Sequence, residues 1–319
     1  MSKRGRRAQR GPEDHRRAVD PVRHDERRAH AREKARTLRE ESRKKERRNR
    51  TLIYGGLTLI VLLGVTAVVF VLLTAPRPSK DGPANMLSDG IKIGVNFEAQ
   101  QTPGLGPSET PVPSTPNADD VLDIRIWVDY LCPLCGGFEK ANEPYLKSLL
   151  NEGAATIEIH PVAILDRLSA GTQYSTRAAN AAACVANYSP NEFFSFNSLM
   201  LEHQPAPEGP GLGDAAMIEI ARTAGVEKAS RIATCIENQE FKIWVEQATK
   251  RSQTQPVPGT DLDKIPGTPT IIVNGQVYNY TLDEDSREFK PLEFQAFVND
   301  VLGLQFSKSV QPSPSTTLP

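Results

Sequence analysis

Cysteine is scarce in this chain, with four residues among 319. Small folds built on disulfides need a much denser set of cysteines, so that class of scaffold is excluded. An even number of cysteines still permits two bridges if the protein is exported to an oxidising compartment. The sequence also contains no internal repeat.

Net charge is nearly absent as well, at −1, but this balance conceals a strong asymmetry. Residues 1–50 hold 20 Lys and Arg against 9 Asp and Glu, whereas the remainder holds 18 against 30. Because residues 1–50 have almost no large apolar side chain, we expect them to be disordered or weakly helical. No aromatic residue lies among the arginines, which disfavours an arm that binds nucleic acid. We therefore expect a disordered basic tail in the cytoplasm, beside anionic lipid.

Residues 51–75 lack any charged side chain and are mostly Leu, Val and Ile. A helix of this length crosses a hydrocarbon layer of roughly 30 Å with some tilt. The basic segment that precedes it places the N-terminus in the cytoplasm by the positive-inside rule. A cleaved signal peptide is the alternative, but the basic and apolar segments are both too long for one. The pattern predicts one uncleaved signal-anchor helix, with the rest of the chain outside the cytoplasm.

Residues 76–118 are rich in Pro, Gly, Ser, Thr and Asn. This composition predicts a linker that lifts a domain away from the membrane. Residues 91–97 alternate between apolar and polar side chains and could add an edge strand to that domain.

Residues 119–306 have the pattern of one α/β domain. Strand-like runs at 121–128 and 155–164 flank a helix-like run at 138–150, which suits a crossover between parallel strands. About 80 mostly helical residues follow, at 170–255, and predict an inserted helical subdomain. Asn274-Gly275 then separates two short β-rich runs, as in a two-residue hairpin. A last helix at 292–302 precedes a Pro/Ser/Thr-rich tail, 307–319, that we expect to be disordered.

The candidate chemistry lies in Cys132-Pro133-Leu134-Cys135, between the first strand and its helix. A thiol at a helix N-terminus lies near free backbone N–H groups, which favour the thiolate. We therefore expect Cys132 to be the nucleophile and Cys135 the resolving thiol of a dithiol–disulfide pair. Half of a zinc site or a purely structural disulfide are the alternatives. Zinc would need a second close pair, and Cys184 and Cys235 are 51 residues apart.

A second segment, Gly267-Thr268-Pro269-Thr270, stands immediately before a strand. From chain physics alone Pro269 would have an ordinary trans bond. The order of strand, Cys-Pro-x-Cys, helix, helical insertion, Gly-Thr-Pro-Thr, hairpin and helix, however, resembles the thioredoxin fold in its DsbA-like form. It is most similar to the membrane-anchored actinobacterial members. The residues that carry the resemblance are 129–135, 174–182, 267–270 and 273–275.

The resemblance implies that Pro269 is cis and faces the Cys132–Cys135 bond, and that Thr268 offers its backbone to an extended substrate. Many relatives hold a buried acid six positions before the first cysteine, where this chain has Ile126. Asp129 is the nearest acid and becomes the candidate for proton transfer from Cys135, with water as the alternative. Strongly oxidising relatives often hold His where this chain has Leu134.

Cys184 and Cys235 fall in two predicted helices of the insertion. We expect a structural disulfide between them, with a redox relay to the active site as the alternative. In the chain-entropy account a loop of this length contributes roughly 4 kcal/mol.

Together these features predict a membrane-tethered oxidoreductase that acts on cysteines of folding exported proteins. Its only redox centre would be the Cys132–Cys135 disulfide, without cofactor or metal, and a membrane partner would re-oxidise it. No nucleic-acid partner is expected. The alternatives are a disulfide reductase or isomerase, or a tethered chaperone or binding module without redox turnover.

Overall fold

A computed structural model describes residues 21–74, 79 and 81–310, except for the side chains of 21–27, 31, 71–74 and 305–310. The chain divides into two compact units, at 1–75 and 76–319. The first of them contains a single long helix, α1, Pro21–Thr74. The predicted disorder of residues 1–20 and 311–319 lies outside the described residues.

The basic segment at 21–50 is helical and continues without a break into the apolar segment, so between the two expectations, disorder or a weak helix, the structure has a helix there. Its physical reason lies in the composition, because Arg, Lys, Glu and Ala are strong helix formers. Arg36 and Glu40, one turn apart, form an exposed ion pair at 3.4 Å. By length and composition, α1 can cross a membrane; a signal sequence would meet the same test.

The second unit contains five strands, β1 Ile91–Ile93, β2 Leu122–Val128, β3 Ala155–Pro161, β4 Thr270–Val273 and β5 Gln276–Val277, and helix α2, Pro133–Asn151, follows β2. The strands form one sheet in the order β1-β3-β2-β4-β5. The central strands β2 and β3 are parallel, and α2 connects them as predicted, while the other pairings are antiparallel. The turn between β4 and β5 has positive φ at both Asn274 and Gly275, as a type I′ hairpin requires. The last helix of the chain, α8, is Pro291–Val310.

Strand β2 alternates between two faces of the sheet. Ile124 and Ile126 belong to the large core that also contains Phe138 of α2, whereas Trp127 packs in a smaller cluster with Val257. Burial of apolar side chains of this size contributes about 1.5–3 kcal/mol each. Because β2 is held in the core on both faces and α2 begins five residues after its last residue, the strand positions the first turn of α2.

Five helices lie between β3 and β4, close to the predicted ranges. Asp214 is the first residue of its helix, and its carboxylate pairs with Arg177 at 3.0 Å. The final helix α8 extends four residues into the tail that composition predicts to be disordered. The inserted helices are α3 Tyr174–Tyr188, α4 Phe193–Glu202, α5 Asp214–Thr223, α6 Ala229–Asn238 and α7 Lys242–Thr254.

The proline-rich segment before β2 is part of the domain, so the linker prediction is wrong for residues 81–117. Residues 91–93 form the predicted edge strand and pair with β3, while 95–97 turn into a short 3-10 helix. Met86 and Leu105 are buried, and Asp89 holds Arg251 through two hydrogen bonds of 2.6 Å. Frequent proline prevents regular secondary structure but does not prevent apolar side chains from packing.

Candidate active site

The two cysteines of the Cys-Pro-Leu-Cys segment lie at the beginning of α2, and both are free thiols. Cys132 is the N-cap residue with extended backbone, and Pro133 is the first helical residue, where its missing N–H is harmless. Cys135 lies in the first turn. The exposed fractions are 5% for Cys132 and 1% for Cys135, so the first thiol is the outer one.

The electrostatics of the two thiols are opposite. Hydrogen bonding lowers the pKa of Cys132 from 9.0 to about 6, although burial opposes this. The largest contribution comes from the Cys135 thiol, and smaller ones come from Thr268 and from the backbone N–H groups of Cys135 and Leu134. Burial, reinforced by the neighbouring Cys132, raises the pKa of Cys135 well above its usual value. At neutral pH the outer sulfur is therefore mostly a thiolate and the inner sulfur keeps its proton, as the predicted roles of nucleophile and resolving thiol require.

The Gly-Thr-Pro-Thr segment lies against the outer cysteine. The Thr268–Pro269 peptide bond is cis, as the resemblance implies. The Sγ of Cys132 lies 3.1 Å from the carbonyl oxygen of Thr268, which accepts a hydrogen bond from the thiol when Cys132 is protonated, and Pro269 lines a small cavity together with Cys135. Two segments separated by 136 residues thus meet at one sulfur atom.

Asp129 is fully buried, and burial raises the pKa of its carboxyl. Its oxygens accept hydrogen bonds from the backbone N–H of Leu131 and of Leu165, both at 2.9 Å, and from the Ser175 hydroxyl at 2.7 Å. Among the hydrogen bonds described for this carboxylate, none comes from a thiol. The structure therefore gives Asp129 contacts that hold the loop before Cys132 against α3, and its part in proton transfer stays a prediction.

Gln204, which follows α4, was not predicted from the sequence as a site residue. Its side-chain amide donates to the carbonyl oxygens of Tyr130 at 3.1 Å and Cys132 at 3.0 Å, so it fixes the loop that presents the nucleophile. A Cβ at Gly136 would lie 2.3 Å from Gln204 Oε1, so a larger residue there would force the Gln204 side chain to move. That glycine is the only local signal of the contact in the sequence.

Glu139 was also missed, although it follows Cys135 by four residues on α2. It is buried, and the Ser198 hydroxyl of α4 donates to its carboxylate. Burial raises the pKa of Glu139 to about 7. Helical spacing alone places residues four apart on the same face, so the sequence held a signal for this residue.

The other two cysteines are joined as predicted. A disulfide links Cys184 of α3 to Cys235 of α6, and both residues are fully buried. It fastens two inserted helices to each other.

Comparison with known proteins agrees with this arrangement. A family model described as thioredoxin matches residues 113–292, more than half of the chain. This chain belongs to the thioredoxin family. The helices inserted between β3 and β4, with the Cys-Pro-Leu-Cys and cis-proline segments, make it a DsbA-like thiol–disulfide oxidoreductase.

The relatives include a curated protein and two solved structures. The serine/threonine-protein kinase PknE of Mycobacterium tuberculosis is 27% identical over 49% of this chain, which spans about a quarter of that protein's length (27%). Reduced DsbA from M. tuberculosis is 26% identical, with 70% of this chain and 100% of that chain covered and a TM-score of 0.49. The thiol–disulfide oxidoreductase MdbA of Actinomyces oris is 18% identical, with coverage of 57% and 81% and a TM-score of 0.43.

Proposed function

We propose that this protein is an extracytoplasmic, membrane-tethered oxidoreductase that exchanges disulfides with cysteines of exported proteins. The observation that carries the proposal is the asymmetric dithiol, in which an outer Cys132 of low pKa stands against the Thr268 carbonyl while Cys135 lies buried behind it. Thiolates attack disulfides, and a low thiol pKa makes a good leaving group.

In the oxidase direction the reaction begins with the Cys132–Cys135 disulfide. A substrate thiolate attacks Cys132 Sγ, a mixed disulfide forms, and Cys135 leaves as the thiolate and takes up a proton. A second substrate thiolate then attacks the substrate sulfur of the mixed disulfide, which releases Cys132 as a thiolate and leaves the substrate oxidised. Thr268 would pair through its backbone with the extended substrate, beside Pro269.

The basic and apolar halves of α1 support the tethered location, with the N-terminus in the cytoplasm. Single cysteines placed at the exposed positions Ser42 and Ser108, in a chain that also carries Cys132→Ser and Cys135→Ser, test it. In intact cells a membrane-impermeant thiol reagent should label the Ser108→Cys variant, and it should label the Ser42→Cys variant only after permeabilisation. Equal labelling of both would overturn the proposed topology.

Oxidation of a reduced, unfolded protein tests the chemistry. Cys132→Ser should abolish it. Incubated instead with a protein that contains a disulfide, Cys135→Ser should accumulate a mixed disulfide through Cys132, because the thiol that would resolve it is absent. If folding assistance survives both substitutions, a tethered chaperone without redox turnover is the better account. The reduction potential of the Cys132–Cys135 couple separates the directions, because a value at the reducing end would favour a reductase or isomerase. In the oxidase direction a membrane partner would have to re-oxidise the dithiol.

A further inference from the structure

The buried Cys135 presents a chemical problem that the proposed function leaves open. Its proton has to leave when the thiol attacks a mixed disulfide, yet only 1% of the residue is exposed. The position six residues before Cys132 is Ile126, which is not an acid. The nearby carboxylate of Asp129 already accepts from Leu131, Leu165 and Ser175.

Glu139 lies beside Cys135 on α2 and lines the same cavity as the thiol. It follows Cys135 by one turn of α2, so the two side chains share a face of the helix. Both line the same small cavity, which also touches Pro269. The room for water in this cavity is about 10 Å³, roughly what one water molecule needs to bridge two polar groups.

The carboxyl of Glu139 also reaches a second space. A surface groove of about 900 Å³ begins at Pro133 and Leu134, and its wall includes Glu139 and Ser198. Glu139 is the one polar residue that lines both the inner cavity with Cys135 and this solvent-open groove. A proton on its carboxyl can therefore be exchanged with bulk water without passing the substrate at Cys132.

The surroundings of Glu139 bring the pKa of its carboxyl close to neutral pH, so that it can both accept and release a proton there. Burial is the largest influence and raises the pKa of Glu139 to about 7, and the nearby Glu143 acts in the same direction. The Ser198 hydroxyl on α4 and Lys147 on α2 act in the opposite direction. Burial also raises the pKa of Tyr130 and of Cys135, so both of these neighbours keep their protons at neutral pH.

We propose that Glu139 is the proton acceptor and donor of Cys135, and that it passes the proton between the buried thiol and the surface groove. This inference rests on the proposed function. When Cys135 resolves a mixed disulfide, its S–H proton moves to the Glu139 carboxylate, directly or through one water. The Cys135–Cys132 bond forms, the bond from Cys132 to the substrate sulfur breaks, and the substrate leaves as a thiolate. In the oxidase direction protonated Glu139 returns the proton to the departing Cys135 thiolate.

The test uses the full chain, reduced at the active site, in detergent, with one equivalent of the aromatic disulfide dithiobis-nitrobenzoate. Attack by Cys132 releases one coloured thiolate, and attack by Cys135 on the resulting mixed disulfide releases a second. In the unsubstituted protein the rate of the second release should rise with pH and level off above an inflection near 7. In Glu139→Gln we expect that inflection to disappear and the second release to slow by about 10²-fold at pH 7, a typical contribution of general base catalysis.

Two variants separate proton transfer from a merely structural role. Ser198→Ala removes a hydrogen bond that favours the carboxylate, so it should move the inflection of the second release to higher pH. Glu152→Gln removes an exposed charge at the other end of α2 and should change nothing. A second release in Glu139→Gln with the same pH profile as the unsubstituted protein would overturn the proposal for Glu139.

The first release reports separately on the proposed function. It should follow the low pKa of Cys132 in every variant. If the first release is present and the second is insensitive to Glu139, only the proton route is refuted. If the first release is slow and titrates like an ordinary thiol, the proposed function itself fails.

Discussion

Cys132 and Cys135 lie three residues apart at the start of α2, whereas Cys184 and Cys235 lie 51 residues apart within α3 and α6. The first pair is a dithiol whose outer member is 5% exposed, and the second is a disulfide whose members are both fully buried. Helix N–H groups stabilise a thiolate only in the first turn, next to the helix end. The comparison shows that the position of a cysteine relative to a helix end and to the surface decides between exchange and cross-linking.

The largest expected difference between the pairs is in stability. Replacing Cys184 and Cys235 together by Ala should lower the free energy of unfolding by about 2–5 kcal/mol, because the unfolded chain loses its constraint. Replacing Cys132 and Cys135 together by Ala is the matched control, and compared with the reduced protein at pH 6, where the Cys132 thiolate contributes little, it should change the free energy of unfolding far less. Urea denaturation of the full chain in detergent measures both. Loss of exchange activity in a Cys184→Ala, Cys235→Ala chain that is still folded would instead support a redox relay.

The next expected effect is the pH dependence of the active-site pair. Alkylation of Cys132 should have a midpoint near pH 6, because at pH 7 about 90% of this residue should be thiolate, against roughly 3% for a thiol of ordinary pKa. The folded-state pKa of Cys132 is lowered, so the stability it confers on the reduced protein is present above the unfolded value near 9 and lost as pH falls through 6. The free energy of unfolding of the reduced form should therefore rise from pH 6 to 9, by at most about 4 kcal/mol. The oxidised form, which lacks these thiols, should show no such rise.

A smaller effect is expected at Asp129. Asp129→Asn places an amide NH₂ among three donors, so we expect a loss of about 1–3 kcal/mol of stability. If Asp129 only positions the loop, the pH profile of resolution by Cys135 should keep its shape. A shifted profile in this variant would show that Asp129 takes part in proton transfer.

The smallest expected effect concerns Leu134, between the two cysteines. Leu134→His should lower the pKa of Cys132 by up to about one unit, because an imidazole can donate to the thiolate. A more stable thiolate makes the pair a stronger oxidant, so equilibration with glutathione should give a higher reduction potential. Leu134→Asn, which introduces a polar but uncharged side chain, is the control. An unchanged potential in Leu134→His would mean that the backbone N–H groups already dominate the stabilisation.

Short sequence patterns are enough to predict several of the helices and strands and the position of the reactive thiol. The charge asymmetry and the apolar run predict α1 as a membrane-crossing candidate, and alternation of apolar residues predicts β2 and β3. The position of Cys132 between a strand and a helix predicts an activated thiol, because the N-terminus of a helix favours a thiolate wherever it occurs. The Asn274-Gly275 dipeptide predicts the hairpin because both residues accept positive φ.

Predictions made from average composition were the least accurate, because composition indicates secondary structure but not which side chains pack in a core. Residues 81–117 have the composition of a linker, yet Met86, Ile91 and Ile93 are buried in the domain. Residues 21–50 lack a core, yet their helix formers continue the apolar helix. In the first segment a few buried side chains make it part of the domain, and in the second a neighbouring helix continues through it. Average composition shows neither of these features.

Only the tertiary structure decided which groups surround the sulfur atoms. Thr268 and Gln204 are 136 and 72 residues from Cys132 in the chain, and their contacts exist because β4 pairs with β2 and α4 packs on α2. Burial, which is a property of the packed domain, raises the pKa of Cys135 and Glu139. The sequence by itself determined where the thiols stand, and the folded domain decided which of them ionises and where the other can send its proton.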